Sequence, residues 1–192
     1  MRPATSRPPA VLPPHKVGYP RTTITERRSF AGALERIVRL GLQPLWQELE
    51  DILTGVDLCV NENSPRNVRC LLEERFRAAG GWARKQGRVD WIKCHSVNDT
   101  RVCLGVEIRF SSGRDILIVD VYHLQDELVT GRLDVGVLVV PSNCLAAFLT
   151  GRVARYSDAV SAVERARAQD LPLMVVAIEH DGPGNSLAKR RT

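Results

Sequence analysis

The chain has 192 residues, of which 44% are hydrophobic and 26% charged, so it is long and apolar enough for one globular domain with an extension. Its net charge of +5 is compatible with a polyanionic partner such as nucleic acid. No apolar run approaches the ~18 residues of a membrane-spanning helix, and the N-terminus lacks the apolar core of a secretory signal. We therefore expect a cytoplasmic protein. The five cysteines are odd in number and lack CxxC spacing, which indicates neither a disulfide framework nor a zinc knuckle.

Both ends of the chain have the composition of extensions. Residues 1–20 contain six of the eleven prolines, which disfavour a helix or a central strand, so a disordered basic arm is predicted for residues 1–22. A flexible basic tail is predicted for residues 182–192. A single domain is expected over residues 23–181. The sequence leaves open whether the arm is passive or embraces DNA.

Three helices are predicted in the first half of the domain. Apolar residues recur at helical spacing over residues 29–40 and again over 44–53. A third helix is predicted over 66–79. The preceding Asn63-Ser64-Pro65 can supply a cap and a first turn, and Gly80-Gly81 ends the helix.

Strands dominate the second half. Residues 89–93 and 102–110 are predicted strands joined through a turn at 96–99. Residues 115–128 fit a strand or a helix, and we favour a loop leading into a helix. Apolar runs at 135–140 and 171–178 predict strands buried on both faces, with a helix at 157–168 between them. The predicted architecture is α/β, a mixed central β-sheet flanked by helices.

Two acids on neighbouring predicted strands, Asp90 and Glu107, are the candidate catalytic residues. Carboxylates on rigid strands can hold a divalent metal, which activates water and neutralises a phosphate, and the carbonyl of Ile108 is a candidate third ligand. Arg109 points to the same face as Glu107. It cannot act as a base, because a guanidinium stays protonated, so its expected role is to stabilise charge on the phosphate. The alternative is an ordinary solvated face of a half-exposed strand.

A series of short motifs runs in order between residues 63 and 178. It comprises Asn67 on a helix that ends in Gly81-Trp82, Asp90-Trp91-Ile92-Lys93, the run from Glu107 to Ser112, the acid Asp120, the strand at 131–139, and Leu171-Pro172-Leu173-Met174-Val175. Together these motifs resemble the BglII/BstYI family of type II restriction endonucleases.

The resemblance implies a restriction-endonuclease-like core of the PD-(D/E)xK type, dependence on Mg²⁺, and a homodimer that cuts double-stranded DNA at a short palindromic site. It implies that Asp90 and Glu107 are metal ligands and that Asn67 matches an active-site asparagine. Arg109 stands at the third active-site position, where the family usually has glutamine. Gly113-Arg114-Asp115 replaces a Lys-Asp pair of the family. A fixed positive charge beside the metal can weaken or tune metal binding. The resemblance therefore implies the fold more directly than it implies catalytic activity.

Residues 142–157 are the candidate DNA-reading segment, because they follow a core strand and mix hydrogen-bond donors and acceptors. In the major groove, arginine suits guanine and asparagine suits adenine. A solvated loop is the alternative. The candidate reading residues are Asn143, Arg152, Arg155, Tyr156 and Ser157.

Three functions remain open at this point. The first is a metal-dependent DNA endonuclease. The second is a DNA-binding protein that keeps the nuclease fold but is impaired in cleavage, which the arginine at position 109 makes credible. The third is a regulatory or assembly module that binds no nucleic acid.

Overall fold

A computed structural model describes residues 20–58, 64–84, 88–110, 114–149, 151 and 153–181. Within these residues six strands form one sheet. The strands are β1 Thr22–Ser29, β2 Ala83–Arg84, β3 Trp91–Val97, β4 Thr100–Ile108, β5 Val135–Pro141 and β6 Leu173–His180. Their order in the sheet is β1-β6-β5-β4-β3-β2. The strands β4, β5 and β6 are parallel, and the other pairings are antiparallel. This mixed sheet confirms the α/β prediction.

Helices cover both faces of this sheet. One apolar cluster joins the sheet to the first three helices and a short fifth helix, and a second cluster joins its other face to the fourth and sixth helices. β5 is buried along its whole length, which is why its sequence is a continuous apolar run. The helices are α1 Ala33–Arg39, α2 Gln43–Leu53, α3 Pro65–Ala79, α4 Arg114–Val129, α5 Leu145–Phe148 and α6 Tyr156–Arg165.

Local sequence signals explain the elements that were predicted correctly. The side chain of Ser64 caps α3 by accepting a hydrogen bond from the backbone N–H of Asn67 at 3.2 Å. Asn98 and Asp99 form the tight turn between β3 and β4, and both have positive φ, at 49° and 63°. Asparagine and aspartate tolerate this backbone conformation better than most residues. The segment at 115–128, whose sequence fits a strand or a helix, lies in the helix α4, which confirms the prediction of a helix.

The N-terminal strand β1 was not predicted, and it corrects two boundaries. Ser29 ends this strand, so the first helix begins at Ala33 rather than near residue 29. Pro20 and Thr22 are buried, and the Thr22 hydroxyl accepts a hydrogen bond from the backbone N–H of Val56 at 2.9 Å. Residues 20–22 therefore belong to the fold and not to the arm. The rest of the predicted arm, residues 1–19, and the predicted tail, residues 182–192, lie outside the described residues.

A disulfide between Cys94 and Cys103 is a second correction. The two cysteines are directly opposite each other in the antiparallel pair of β3 and β4. An odd cysteine count does not exclude one bonded pair, and a cross-strand pair needs no particular spacing in sequence. The bond links the strand that follows Asp90 to the strand that carries Glu107. Across the described residues, no helix is long and apolar enough to cross a membrane.

Candidate active site

The carboxyl groups of Asp90 and Glu107 meet at one end of the sheet. Trp91 pairs with Val106, and the same register continued by one residue places Asp90 opposite Glu107. The Glu107 carboxyl makes a side-chain hydrogen bond with Asp90. The backbone N–H of Ile108 donates to Asp90 Oδ2 at 3.1 Å. The two acids that the sequence singled out are thus in direct contact, although 16 residues separate them in the chain.

The surroundings of Glu107 favour its protonated form. Burial raises the pKa of Glu107 to about 9, and the neighbouring charges of Asp90 and Asp120 act in the same direction. Desolvation and like charges both penalise a carboxylate. At neutral pH and without an added cation, Glu107 therefore keeps its proton and can donate it in the hydrogen bond to Asp90. A divalent cation bound between the acids would supply positive charge in place of that proton and would favour the ionised form of Glu107.

The helix α4 brings an acid and a histidine to the same place. Asp120 and His123 are three residues apart, which puts them on one side of the helix. His123 Nδ1 lies 3.5 Å from Glu107 Oε1. Glu107, Asp120 and His123 each offer a ligand atom, and these atoms all lie within 4.8 Å of one another. The spacing of Asp120 and His123 is a signal that sequence reasoning could have used for both residues.

Arg109 is held by Asp120. Its Nε donates to Asp120 Oδ2 at 2.5 Å and its Nη2 donates to Oδ1 of the same carboxylate. Asp120 is only 1% exposed. Burial raises the pKa of Asp120, and the ion pair with Arg109 opposes this shift only in part. The positive charge of Arg109 is therefore balanced by the buried acid Asp120, which the sequence indicated only through the family resemblance.

A second arginine, Arg69 on α3, enters the site and was missed. Its Nη2 donates to Asp90 Oδ1 at 2.8 Å, and its Nε donates to Glu73 Oε1 at 3.0 Å. Burial opposes the charge on Arg69, but Asp90 and Glu73 more than offset this effect and raise the pKa of Arg69. The predicted residue of this helix, Asn67, is partly buried two residues earlier, where its backbone N–H is used in the cap. Nothing in the sequence distinguishes Arg69 from the other arginines of α3.

The candidate reading segment follows β5 at the same end of the sheet. β4 and β5 are parallel, so residue 142 leaves the sheet on the side where Glu107 lies. Asn143 Oδ1 accepts two hydrogen bonds from Ser157, from its backbone N–H at 3.2 Å and from its hydroxyl at 3.1 Å. Arg155 is exposed and Tyr156 is half-buried at the start of α6.

The described part of this segment is not simply a solvated loop. It includes α5, and the Asn143–Ser157 contact closes its two ends together. Burial, and then the charge of Glu26, raise the pKa of the Tyr156 hydroxyl. Arg152 lies outside the described residues.

One comparison with known proteins gives a match. The family model "Restriction endonuclease BglII/BglIII" matches residues 27–178, which is most of the chain and includes every strand of the sheet except part of β1 and the end of β6. No curated protein matches the chain. The matched range contains both meeting acids, both arginines bound to acids in the site, and the candidate reading segment. The chain belongs to the BglII/BglIII restriction endonuclease family and contains a restriction-endonuclease-like nuclease domain.

Proposed function

We propose that the protein is a Mg²⁺-dependent endonuclease that acts as a homodimer in the cytoplasm and hydrolyses phosphodiester bonds of double-stranded DNA at a short palindromic site. The meeting of Asp90 and Glu107 carries this proposal. Two carboxylates at the end of a rigid sheet, backed by a family of DNA nucleases, suit a cation that must also contact a phosphate.

The donor set fits a hard divalent cation. Mg²⁺ prefers oxygen ligands, and Asp90 and Glu107 supply carboxylate oxygens. The N–H of Ile108 points to Asp90, and the carbonyl of a strand residue lies on the same edge as its N–H. We assign these three residues as ligands. When bound, the ion supplies an activated water and neutralises charge on the scissile phosphate.

Arg109 and Asn67 are assigned to the phosphate. Arg109 shares the face of Glu107, and its bidentate pair with Asp120 fixes the orientation of its guanidinium. A fixed guanidinium can stabilise the negative charge that develops on the phosphate without having to reorganise. Asn67 lies in the first turn of α3 and is partly buried, and its carboxamide can donate a hydrogen bond.

Base recognition is assigned to the segment at 142–157. The two hydrogen bonds from Ser157 are both accepted by the oxygen of Asn143, so its amide N–H groups are left to donate to an external acceptor. Arg155 and Tyr156 extend this surface, and Arg152 is placed in it by sequence alone. Such donors match the acceptors on purine edges in the major groove.

An exposed apolar stripe on α4 supports the homodimer. Ile116, Val119, Tyr122 and Val129 repeat at helical spacing and are between 41% and 69% exposed. A stripe of this kind is rarely left in water. A second copy can cover it through a two-fold contact, and two-fold symmetry matches a palindromic DNA site. The same helix carries Asp120, so the interface would lie directly behind the active site.

One observation favours a second candidate, a DNA-binding protein impaired in cleavage. Arg69 forms an ion pair with Asp90, and Arg109 forms an ion pair with Asp120. If these arginines permanently replace the cation, the protein binds DNA without cutting it. Metal-dependent cleavage separates the two candidates, and absence of any DNA binding would leave the non-nucleic-acid module.

The first prediction is discrete cleavage of phage DNA by the purified protein in Mg²⁺. Asp90→Asn and Glu107→Gln should each lower the rate by at least about a thousandfold, because each removes a metal ligand worth several kcal/mol in the transition state. Both variants should still shift DNA in Ca²⁺ on a gel. Glu164→Gln, on an exposed site of α6, serves as the control and should cut normally. Normal cutting by either active-site variant would refute the assignment.

A second prediction concerns pH in the absence of divalent ions. Between pH 4.5 and about 9 the folded protein keeps a proton on Glu107 that the unfolded chain has released. The contribution of protonated Glu107 to the free energy of unfolding is therefore fully present below pH 4.5 and is lost as the pH rises toward 9. Urea unfolding in EDTA should show Glu107→Gln gaining stability over the unaltered protein as pH rises, on the order of 1 kcal/mol per pH unit. Glu164→Gln should show no such trend. A constant difference across this range would contradict the protonated state of Glu107.

The third prediction tests the pair of Arg109 and Asp120 by a double-mutant cycle. Arg109→Gln leaves the buried carboxylate of Asp120 without its main partner. It should therefore lower the free energy of unfolding by about 3 kcal/mol. Combining it with Asp120→Asn should restore part of that loss, with a coupling above about 1 kcal/mol. The exposed pair of Arg88 and Asp126 is the matched control, and its coupling should be much smaller. Equal couplings would mean that the buried pair has no special role.

A fourth prediction places the dimer interface on α4. Val119→Asp buries an unpaired charge in the contact and should weaken dimerisation at least about thirtyfold, measured by sedimentation equilibrium. Val38→Asp on α1, which is at least as exposed, is the control and should leave the dimer intact. Loss of the dimer in the control but not in Val119→Asp would move the interface to the N-terminal helices.

A further inference from the structure

Apart from Asp90 and Glu107, one further buried carboxylate, that of Glu73, accepts hydrogen bonds from three arginines. Glu73 is only 8% exposed. Its Oε1 accepts from Arg69 at 3.0 Å, and its Oε2 accepts from Arg77 at 3.1 Å and from Arg84 at 2.9 Å. A buried carboxylate needs a partner, but one guanidinium is enough. Asp90 shares Arg69 with Glu73, so three guanidinium groups and two carboxylates leave an excess of one positive charge around Glu73.

These residues form a line that begins in the active site. Arg69, Glu73 and Arg77 are four residues apart, so they lie on one side of α3. Arg69 reaches Asp90 with its other nitrogen. The helix rises 1.5 Å per residue, so Arg77 is about 12 Å farther along the axis than Arg69. The pairing of β2 with β3 sets Arg84 opposite Trp91, the residue that follows Asp90, and Arg84 meets Arg77 at Glu73 Oε2.

The two outer arginines are held in place yet remain open to solvent. The side chains of Arg77 and Arg84 are 50% and 47% exposed. Each donates one hydrogen bond to Glu73, and the guanidinium of Arg84 also lies over the Trp91 ring, 6.0 Å from its centre. A guanidinium has five N–H donors, so the contacts with Glu73 leave most of them available to another acceptor. Holding an arginine in advance lowers the entropy lost when it binds a ligand.

We infer that Arg77 and Arg84 bind two phosphates of the duplex DNA backbone beside the scissile bond. This inference rests on the proposed function and adds to it a contact surface outside the catalytic centre. A guanidinium fork matches a phosphate in shape and charge. Phosphate contacts carry no sequence information but set the position of the protein on the duplex. Glu73 acts as a positioning residue that aims both arginines and, through Arg69, connects them to Asp90.

The test is the salt dependence of DNA binding by the full chain. A fluorescent mixed-sequence duplex is titrated in Ca²⁺ at several NaCl concentrations, and affinity is followed by fluorescence anisotropy. Each phosphate contact contributes about 0.9 to the slope of log affinity against log salt. The double variant Arg77→Gln/Arg84→Gln should lower the slope by about 1.8 per bound subunit and the affinity roughly tenfold to a hundredfold at 0.1 M salt. In this variant Glu73 still forms its ion pair with Arg69, so we expect the fold to persist. Circular dichroism can verify this.

Two further variants separate a phosphate contact from a general loss of charge. Arg77→Lys/Arg84→Lys keeps the charges and should retain most of the slope. Arg27→Gln removes an arginine that is equally exposed, at 47%, and paired with a single glutamate, Glu50, on the edge strand β1. It should leave the slope unchanged.

Three outcomes would overturn the inference. A double glutamine variant with an unchanged slope would mean that the cluster only stabilises the fold, while the proposed function would stand. An equal loss in Arg27→Gln would mean that net charge, not position, sets the affinity. No binding by the unaltered protein at low salt would overturn both the inference and the proposed function.

Discussion

The site depends on carboxyl groups that lie close together and are mostly shielded from water: the side chains of Glu107 and Asp120 are 4% and 1% exposed, and that of Asp90 is 12% exposed. Asp90 and Glu107 are in contact, and Asp120 adds a third acid from α4. Removing one carboxylate from water costs several kcal/mol, and a like charge beside it adds to that cost. The fold offsets the cost in three ways. Glu107 keeps a proton, the backbone of Ile108 donates to Asp90, and guanidinium groups bind the remaining acids.

The scaffold explains how these groups stay close together. The parallel strands β4 and β5 end on one side, which gathers Glu107 and the segment at 142–157 at the same edge of the sheet. The tight turn and the disulfide between β3 and β4 fix the register that sets Asp90 opposite Glu107. Helices pack on both faces, so α3 and α4 can each send an arginine or an acid to this edge. Strand geometry sets the acid pair, and helix packing supplies its partners.

Sequence reasoning succeeds where a short segment contains its own signal. The cap at Ser64, the turn at Asn98 and the apolar run of β5 are local features, and each predicted its element correctly. The strand β1 is different. It is an edge strand with exposed, charged residues, so its sequence lacks the alternation of apolar and polar residues that would identify a strand. Asp90 and Glu107 were found because two strands and a turn join them. Arg69 was not found, because the fold alone decides which arginine of a basic helix faces an acid.

The charges of the site also bear on how many cations it can hold. Arg69 binds both Asp90 and Glu73, and Arg109 binds Asp120, so two guanidinium groups already lie beside the acids at which a divalent ion would bind. In the proposed reaction, an ion held by Asp90 and Glu107 would take over the role of the Glu107 proton, because both lower the repulsion between these carboxyl groups. A second ion would have to bind next to the two fixed guanidinium groups, which would repel it. In the proposed mechanism, the arginines would therefore supply positive charge that a second ion would otherwise supply.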